Sequence, residues 1–428
     1  MTGGGVSKLQ KPALVLAILG TINLVNQMDR VLFSLMVEPI KAELNFSDSQ
    51  MGLLGGIAFA VSYAVIGLVA GRIADSWNRV RLIGLALMIW SAATGAMGFA
   101  YSFLQMFAGR VAVGVGEAGC VPASQSIISD TVPVKDRAMM ISLFTGFGTV
   151  GTLVGLLLGG LVLEQIGWRM TFVAFGLFGA IPVAMLFLFL RDPRPERRFV
   201  ASEALSFSDV RAMLKRRETQ ALIIAIPLLY TMVGAATWIP AFFQRTYGIS
   251  TEEFARVGGA FLGLGLIAGT FGGGLIIKFL VKRDARWEFW WSGMSCALAL
   301  VPLLPIYLGA DLSIAYPCLF AAFFISATGF GPSMACMHRV ANQAVRATAI
   351  AVIMFATSLI AYGGVPAAIG VLSDIFAQLG ISADDGASLR YAMLATMLLP
   401  PLASVMFFRY AYVAKLDDAP DDAKAISG

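Results

Sequence analysis

The sequence predicts an all-α polytopic membrane protein, with twelve transmembrane helices in two pseudo-symmetric six-helix bundles and with cytoplasmic N- and C-termini. Three observations carry that prediction. Of the 428 residues, 58% are hydrophobic and only 13% charged, whereas a soluble globular chain is about a quarter charged. An ordinary soluble enzyme is thereby excluded. The apolar residues fall in runs of about twenty, the length of a helix crossing ~30 Å of hydrocarbon at ~1.5 Å per residue. The second six runs repeat features of the first.

The runs place spans near 12–36, 50–73, 81–101, 103–129, 138–165, 170–190, 220–246, 252–278, 287–308, 312–337, 346–377 and 388–413. The first run is too long for a signal-peptide core and is taken as the first span. With the N-terminus inside, Lys and Arg concentrate in the cytoplasmic loops; Lys41, Arg169, Arg245, Arg256 and Arg390 fall outside, and Arg30 and Arg110 within spans. This asymmetry orients the chain and accounts for its net charge of +5 without any nucleic acid. Cys120, Cys296, Cys318 and Cys336 lie in or beside apolar runs with no C-x-x-C spacing, so neither a disulfide framework nor a metal site is expected. No cofactor is expected either, and no His cluster or nucleophile with a paired base suggests an enzyme.

The longest polar interruption divides the chain. Residues 1–190 form the first predicted bundle, 191–219 a cytoplasmic linker, and 220–428 the second bundle with a short cytoplasmic tail. In the linker, Val210, Met213 and Leu214 can share one face of a short interfacial helix. The halves echo one another: "GRIADSWNRVR" from Gly71 follows the second span and "GGLIIKFLVKRDAR" from Gly273 the eighth, while "PASQSIISDTVPVKDRAMMISLF" from Pro122 parallels "PSMACMHRVANQAVRATAIAVIMF" from Pro332.

Duplicated six-span halves are the architecture of major-facilitator transporters, whose substrate site lies near the midplane between repeats. "GRIADSWNRVR" resembles that family's loop signature at Gly71, Ile73, Ala74, Asp75, Arg79 and Arg81, and departs from it at Ser76, Asn78 and Val80. The resemblance implies a gate in which Asp75 latches onto the basic start of the eleventh span near Arg346, and an arginine of the loop onto Asp130 at the end of the fourth. The second-half copy carries Lys278 in place of the aspartate. The competing reading is that these charges only enforce topology.

Charges inside spans cost more. An Asp or Arg at a helix centre costs ~2.5–3.5 kcal/mol on insertion scales, so such residues face a cavity or one another. Asp29 and Glu117 are the acids well inside spans. From the cytoplasmic ends of their helices, Asp29 lies about 25 Å deep, Arg110 about 29 Å and Glu117 about 18 Å. Arg110 and Glu117, seven apart, share a helix face. The expectation is one coupled cluster of Asp29, Arg110 and Glu117 able to bind and release a proton; a permanent ion pair holding two helices together is the alternative. Asn23, Gln27 and Arg30 recur at i, i+4 and i+7, so Arg30 can offer a cation to an anionic substrate group, with Asp29 pointing about 100° away. Tyr230, Trp238, Thr328, Thr357, Ser358 and Tyr362 are second-half candidates for the cavity wall, each also explicable as packing. His338, the only histidine, ends the tenth span as a topology or gating residue.

Gly114, Gly116 and Gly119 reproduce G-x-G-x-x-G, but without a preceding strand the spacing is no dinucleotide turn. These glycines instead thin the helix beside Glu117.

Several stretches resemble the spinster branch of the major facilitators: "NQMDRVLFSLMVEPIKAELNFSDSQMGLL", "RVAVGVGEAGCVPASQSIISDTVP", "GWRMTF", "LRDPRPE" and "KRDARWEFWW". The resemblance implies a secondary transporter of sphingolipids or lysophospholipids, driven in some members by protons, and maps that branch's charged residues onto Asp29, Arg30 and Glu117. The partners it implies are an amphiphilic or anionic small molecule, protons and membrane lipids, for a monomer in the plasma membrane, here a bacterial inner membrane. Two alternatives stay open: a proton-coupled symporter of small organic anions that uses Arg30 and Arg110 as a clamp, and an uncoupled lipid facilitator or sensor.

Overall fold

Where the apolar runs are described, they are helical, and the described residues contain no strand. The computed structural model describes residues 11–193, 211, 215, 217–340, 346–381 and 385–413. The predicted linker helix, the side chain of His338, and the side chains of Asp75 and Arg346 lie outside the described residues.

The first half begins with α1 (Pro12–Leu35), α2 (Val37–Leu44), α3 (Asp48–Gly55) and α4 (Ile57–Ser76). It continues through α5 (Arg79–Met97), α6 (Phe103–Glu117), α7 (Cys120–Thr131), α8 (Val134–Phe178) and α9 (Ala180–Phe189). The second half contains α10 (Arg217–Leu229), α11 (Thr231–Ala235), α12 (Ile239–Tyr247), α13 (Gly259–Val281) and α14 (Trp287–Tyr307). It ends with α15 (Leu312–Thr328), α16 (Phe330–Val340), α17 (Arg346–Thr357), α18 (Val365–Gln378), α19 (Asp385–Thr396) and α20 (Leu399–Val413). Among the described residues, ten helical stretches are long and apolar enough to cross a membrane. The chain is thus an integral multi-pass membrane protein. Large apolar side chains such as Leu104, Leu177, Leu188 and Phe279 stand exposed, as they do where lipid replaces water.

Local chemistry sets the helix ends. Ser47 and Gln50 form a reciprocal capping box that starts α3, and the Asn78 side chain accepts from the Arg81 amide at the start of α5, each satisfying donors that a helix start leaves unpaired. Gly167, at φ 72°, breaks the 45-residue α8. Just past that break, Trp168 Nε1 donates to Glu43 Oε2 at 2.6 Å and Arg169 Nε to Glu43 Oε1 at 2.8 Å. Arg169 also donates to the carbonyls of Gly98 and Ala100. The "GWR" of the sequence is therefore a clamp that ties α2 to the turn between α5 and α6.

Glycine allows one close seam between the halves, where α3 and α4 meet α18 and the π-helical turn Ser358–Gly364. A Cβ on Gly56 would stand 2.3 Å from the Gly363 carbonyl oxygen, and one on Gly370 2.1 Å from that of Asp48. Any side chain there would force the helices apart. Towards the other end of α4 the situation reverses: a Cβ on Gly67 or Gly71 would meet nothing within 4 Å. The halves are sealed at the Asp48 end, and no comparable close contact is made at Gly67 or Gly71. A second contact between halves runs along α8 and α13.

Candidate functional site

On α1 the polar side chains diverge around the helix as their spacing requires. Asn23 is buried and donates to the Phe144 carbonyl of α8 at 2.9 Å. Gln27, partly exposed, lies one turn on. Arg30 reaches α6, where its Nε donates to Glu117 Oε2 at 2.6 Å. Its guanidinium lies 4.9 Å from the centroid of Phe59 and 4.6 Å from that of Tyr63, both on α4. Glu117 is wholly buried, while the Arg30 side chain keeps 26% exposure. The pair thus presents its cationic partner to the accessible side.

This arrangement corrects the expected cluster. The ion-pair partner of Glu117 is Arg30, and Arg30 is not a free cation awaiting an anion. Arg110 forms no ion pair among the described residues. Instead its Nε donates to the Leu54 carbonyl at 3.1 Å, and its guanidinium lies 4.6 Å from the Phe33 ring and 5.1 Å from that of Phe59. The physical reason is the break between α3 and α4 at Gly56: carbonyls beside a helix end lack their usual partners, and a buried guanidinium two turns from Glu117 finds one there. Asp29 is 5% exposed, and neither of its carboxylate oxygens has a hydrogen-bond partner. Glu117 and Arg110 act on it through space. One ring, Phe59, touches both arginines.

The second-half candidates separate into two groups. Tyr230 stacks on Phe330 with centroids 4.7 Å apart, and Tyr362 lies 6.3 Å from Tyr230, forming an aromatic cluster; Ser358 is buried in the π-helical turn that also carries Tyr362. Trp238, Thr328 and Thr357 are instead committed to structure. Trp238 is fully buried and donates from Nε1 to the Pro366 carbonyl in the sealed end. The Thr328 hydroxyl donates to the Ile325 carbonyl and accepts from Trp291 Nε1. Thr357 donates to the Ile353 carbonyl of its own helix. In this conformation these three offer nothing to a ligand, because each polar group already has a partner.

At the Gly71 end, Arg79, the first residue of α5, is fully buried. It donates to Asp130 Oδ2 at 2.7 Å, to Ser126 Oγ at 2.9 Å, and from Nε, Nη2 and its own amide to Asp192. The contact with Asp130 is the one the loop motif implies for an arginine there. Asp192, which follows α9, escaped the sequence reading, although it stands in the quoted "LRDPRPE". The Arg81 amide is engaged by Asn78, and Gly71 faces open space.

Sequence reasoning also missed the network that closes the opposite end. Arg245, ending α12, donates to both oxygens of Asp48 at 2.8 Å and to Glu38 Oε1 at 2.7 Å. Lys41 lies 2.8 Å from Asp48. Ser373 Oγ donates to Asp48 Oδ2, and Asp374 accepts from the amides of Asp48 and Ser49. The available signal was the capping motif "SDSQ" together with two of the few basic residues placed outside, Lys41 and Arg245.

Comparison with known proteins agrees with this architecture. The family model of the Major Facilitator Superfamily matches residues 19–366. A bacterial homologue of the human lysosomal transporter Spinster, solved in an inward-facing and unoccupied conformation, superposes with a TM-score of 0.81 at 26% identity over 94% of this chain and 97% of that one. An MFS-type efflux pump of Mycolicibacterium smegmatis is 29% identical over 84% of this chain and 83% of its own. The sphingosine-1-phosphate transporter SPNS2 of Xenopus tropicalis is 24% identical over 92% of this chain and 80% of its own. These relatives are transporters rather than enzymes. With a family model spanning most of its length and a spinster-like structure, the chain belongs to the Major Facilitator Superfamily.

Proposed function

We propose that the protein is a secondary transporter working by alternating access, coupled to protons and moving a lipid-like amphiphile of the sphingolipid or lysophospholipid class. The observation that carries this reading is the Arg30–Glu117 pair, half in contact with the accessible side, beside an Asp29 that has no fixed partner. Such an arrangement can trade a proton for a change in pairing: protonating Glu117 releases Arg30, and a released Arg30 can bind an anionic head group. A ligand shifts the balance between conformations only through its differential affinity for them, and this pair supplies such a difference. The aromatic cluster of Tyr230, Phe330 and Tyr362 suits the apolar part of an amphiphile. The lipid class is supported by the name of the Xenopus relative.

In this reading the chain has twelve spans. The Gly167 break divides one very long stretch in two, and α1, whose polar residues lower its hydropathy, adds another to the ten. Residues 1–190 and 220–428 are the two bundles, 191–219 is the cytoplasmic linker, and both termini are cytoplasmic. The molecule works as a monomer in the plasma membrane. The Asp48 end is then extracellular and shut, and the Gly71 end faces the cytoplasm.

A small-anion symporter is the second reading, favoured by one observation: Arg110 is a buried guanidinium that pairs with no carboxylate among the described residues. One assay separates the two. Proteoliposomes with an imposed pH gradient, given sphingolipids, lysophospholipids and small carboxylates in turn, should show gradient-driven movement of the lipids alone, and Glu117→Gln should abolish the dependence on the gradient. Movement of carboxylates alone would establish the symporter, and gradient-independent lipid movement would establish an uncoupled facilitator.

A further inference from the structure

The polar groups around Asp29 do not end with the charges. Asp29 is 5% exposed, and the two α5 side chains that face it, Trp90 and Thr94, are 0% and 2% exposed. Trp90 and Thr94 are one turn apart and so share a helix face. Trp90 Nε1 and both Asp29 oxygens lack a hydrogen-bond partner, as do the Asn26 amide nitrogen and Glu117 Oε1. Five orphaned polar atoms on Asp29, its helix neighbour Asn26 and the groups facing it depart from the usual pattern, since buried polar groups are nearly always paired with protein or ordered water. A polar pocket of this kind is where a buried water makes two to four bonds.

The fold brings these groups together through Gly116. A Cβ at that position would stand 2.7 Å from the Trp90 amide nitrogen and 2.8 Å from its Cβ. Only the bare backbone of α6 lets α5 come close enough for Trp90 to reach the Asp29 side of α1. The glycine therefore serves the charge indirectly.

We propose that Trp90 and Thr94 hold water against the Asp29 carboxylate in a pocket between α1, α5 and α6, and that Asp29 exchanges its proton there, apart from the Arg30–Glu117 pair. Trp90 and Thr94 are positioning residues, each supplying one donor to the carboxylate or to its water. The charged groups facing Asp29 are Glu117 and Arg110 from α6; α2, α7, α8, α9, α12 and the turn Ala236–Trp238 also pack on α1 and bring no further charge to Asp29 among the described residues. Arg30, on α1 itself, is turned to Glu117. The proposal rests on the proton-coupled reading above and adds the route by which one of its acids is served.

Two conservative variants test it in proteoliposomes, Trp90→Phe, which keeps the ring, and Thr94→Val, which keeps the shape. Each removes one donor to a charged group, worth about one pH unit, so the midpoint of the pH profile of transport should move to higher pH by that amount in either variant. In parallel, the infrared carboxyl band that disappears in Asp29→Asn should shift in both variants, and in the parent protein it should respond to heavy water. An unmoved band together with an unmoved midpoint would overturn the pocket. A flat pH profile in the parent protein would instead overturn the proton-coupled reading, and the band would still report whether Trp90 and Thr94 serve Asp29.

Discussion

Arg245 and Asp48 meet through a two-pronged contact, Nη1 to one carboxylate oxygen and Nη2 to the other, both at 2.8 Å. Their side chains are 7% and 5% exposed, and they belong to opposite halves of the chain. Breaking a buried pair by removing one partner costs about 3–5 kcal/mol. Arg245→Ala should therefore favour opening of the Asp48 end by roughly 100- to 4,000-fold, since each ~1.4 kcal/mol is a factor of ten. In a Cys318→Ser background, a cysteine replacing Ser49 should label rapidly in Arg245→Ala and slowly in the parent. Equal labelling rates would show that the pair does not hold this end.

The seam beside that pair makes a steric prediction. Gly56→Val places carbon where the Gly363 carbonyl oxygen already stands, at 2.3 Å from an added Cβ, and overpacking of this kind costs about 1–3 kcal/mol. The same cysteine should become accessible, while the protein stays folded. Gly67→Val, where the added carbon meets nothing within 4 Å, is the control and should leave labelling unchanged.

Arg79 should prove a stability residue as much as a gating one. Arg79→Ala removes a buried guanidinium that both Asp130 and Asp192 accept from, and we expect a loss of about 3–5 kcal/mol, seen as a lower thermal midpoint in detergent. Lysine cannot reproduce the forked contact with Asp192, so Arg79→Lys should recover only part of the loss. Asp192→Asn should cost more than Asp130→Asn, because Asp192 is 4% exposed and Asp130 27%.

Glu43 carries the pH dependence of the clamp. Hydrogen bonds from Arg169, aided by one from Trp168, hold its carboxyl below the usual range. A carboxylate depressed in the folded state contributes stability that is fully present above its ordinary pKa and fades as pH falls through the lower folded value. The parent and Glu43→Gln should therefore differ in thermal midpoint at neutral pH and converge in acid. A gap that persists unchanged at low pH would assign the clamp's strength to packing. With Glu43 about half exposed, the gap should be small.

The membrane class and the helical runs were legible in composition, because hydrocarbon tolerates few charges and demands helices. The Arg79–Asp130 contact was legible because the loop motif ties two residues near helix ends. The partners of the inner charges were not. Spacing puts Arg110 and Glu117 on one face, but choosing between Asp29 and Arg30 as the partner of Glu117 depends on the rotation of α1 against α6, which no local pattern encodes. Nor does the sequence reveal that the Gly56 break would leave the Leu54 carbonyl to engage Arg110. Trp238 and Thr328 looked like wall residues because a hydroxyl or indole in an apolar run reads alike whether it faces a cavity or a neighbour's carbonyl.

The seam of Gly56, Gly363 and Gly370 has a bearing on what lies behind it. Its tightest contacts are carbonyl oxygens of Gly363, Asp48 and Pro366, with Ala60, Ala367 and the Trp238 ring next to them. When α3 and α4 part from α18, the surfaces uncovered alternate backbone carbonyls with small and aromatic groups, because no long side chain separates the two backbones at Gly56 and Gly370. Closing such a doorway brings backbone against backbone, so its fit is set by the absence of side chains and not by the sorting of rotamers.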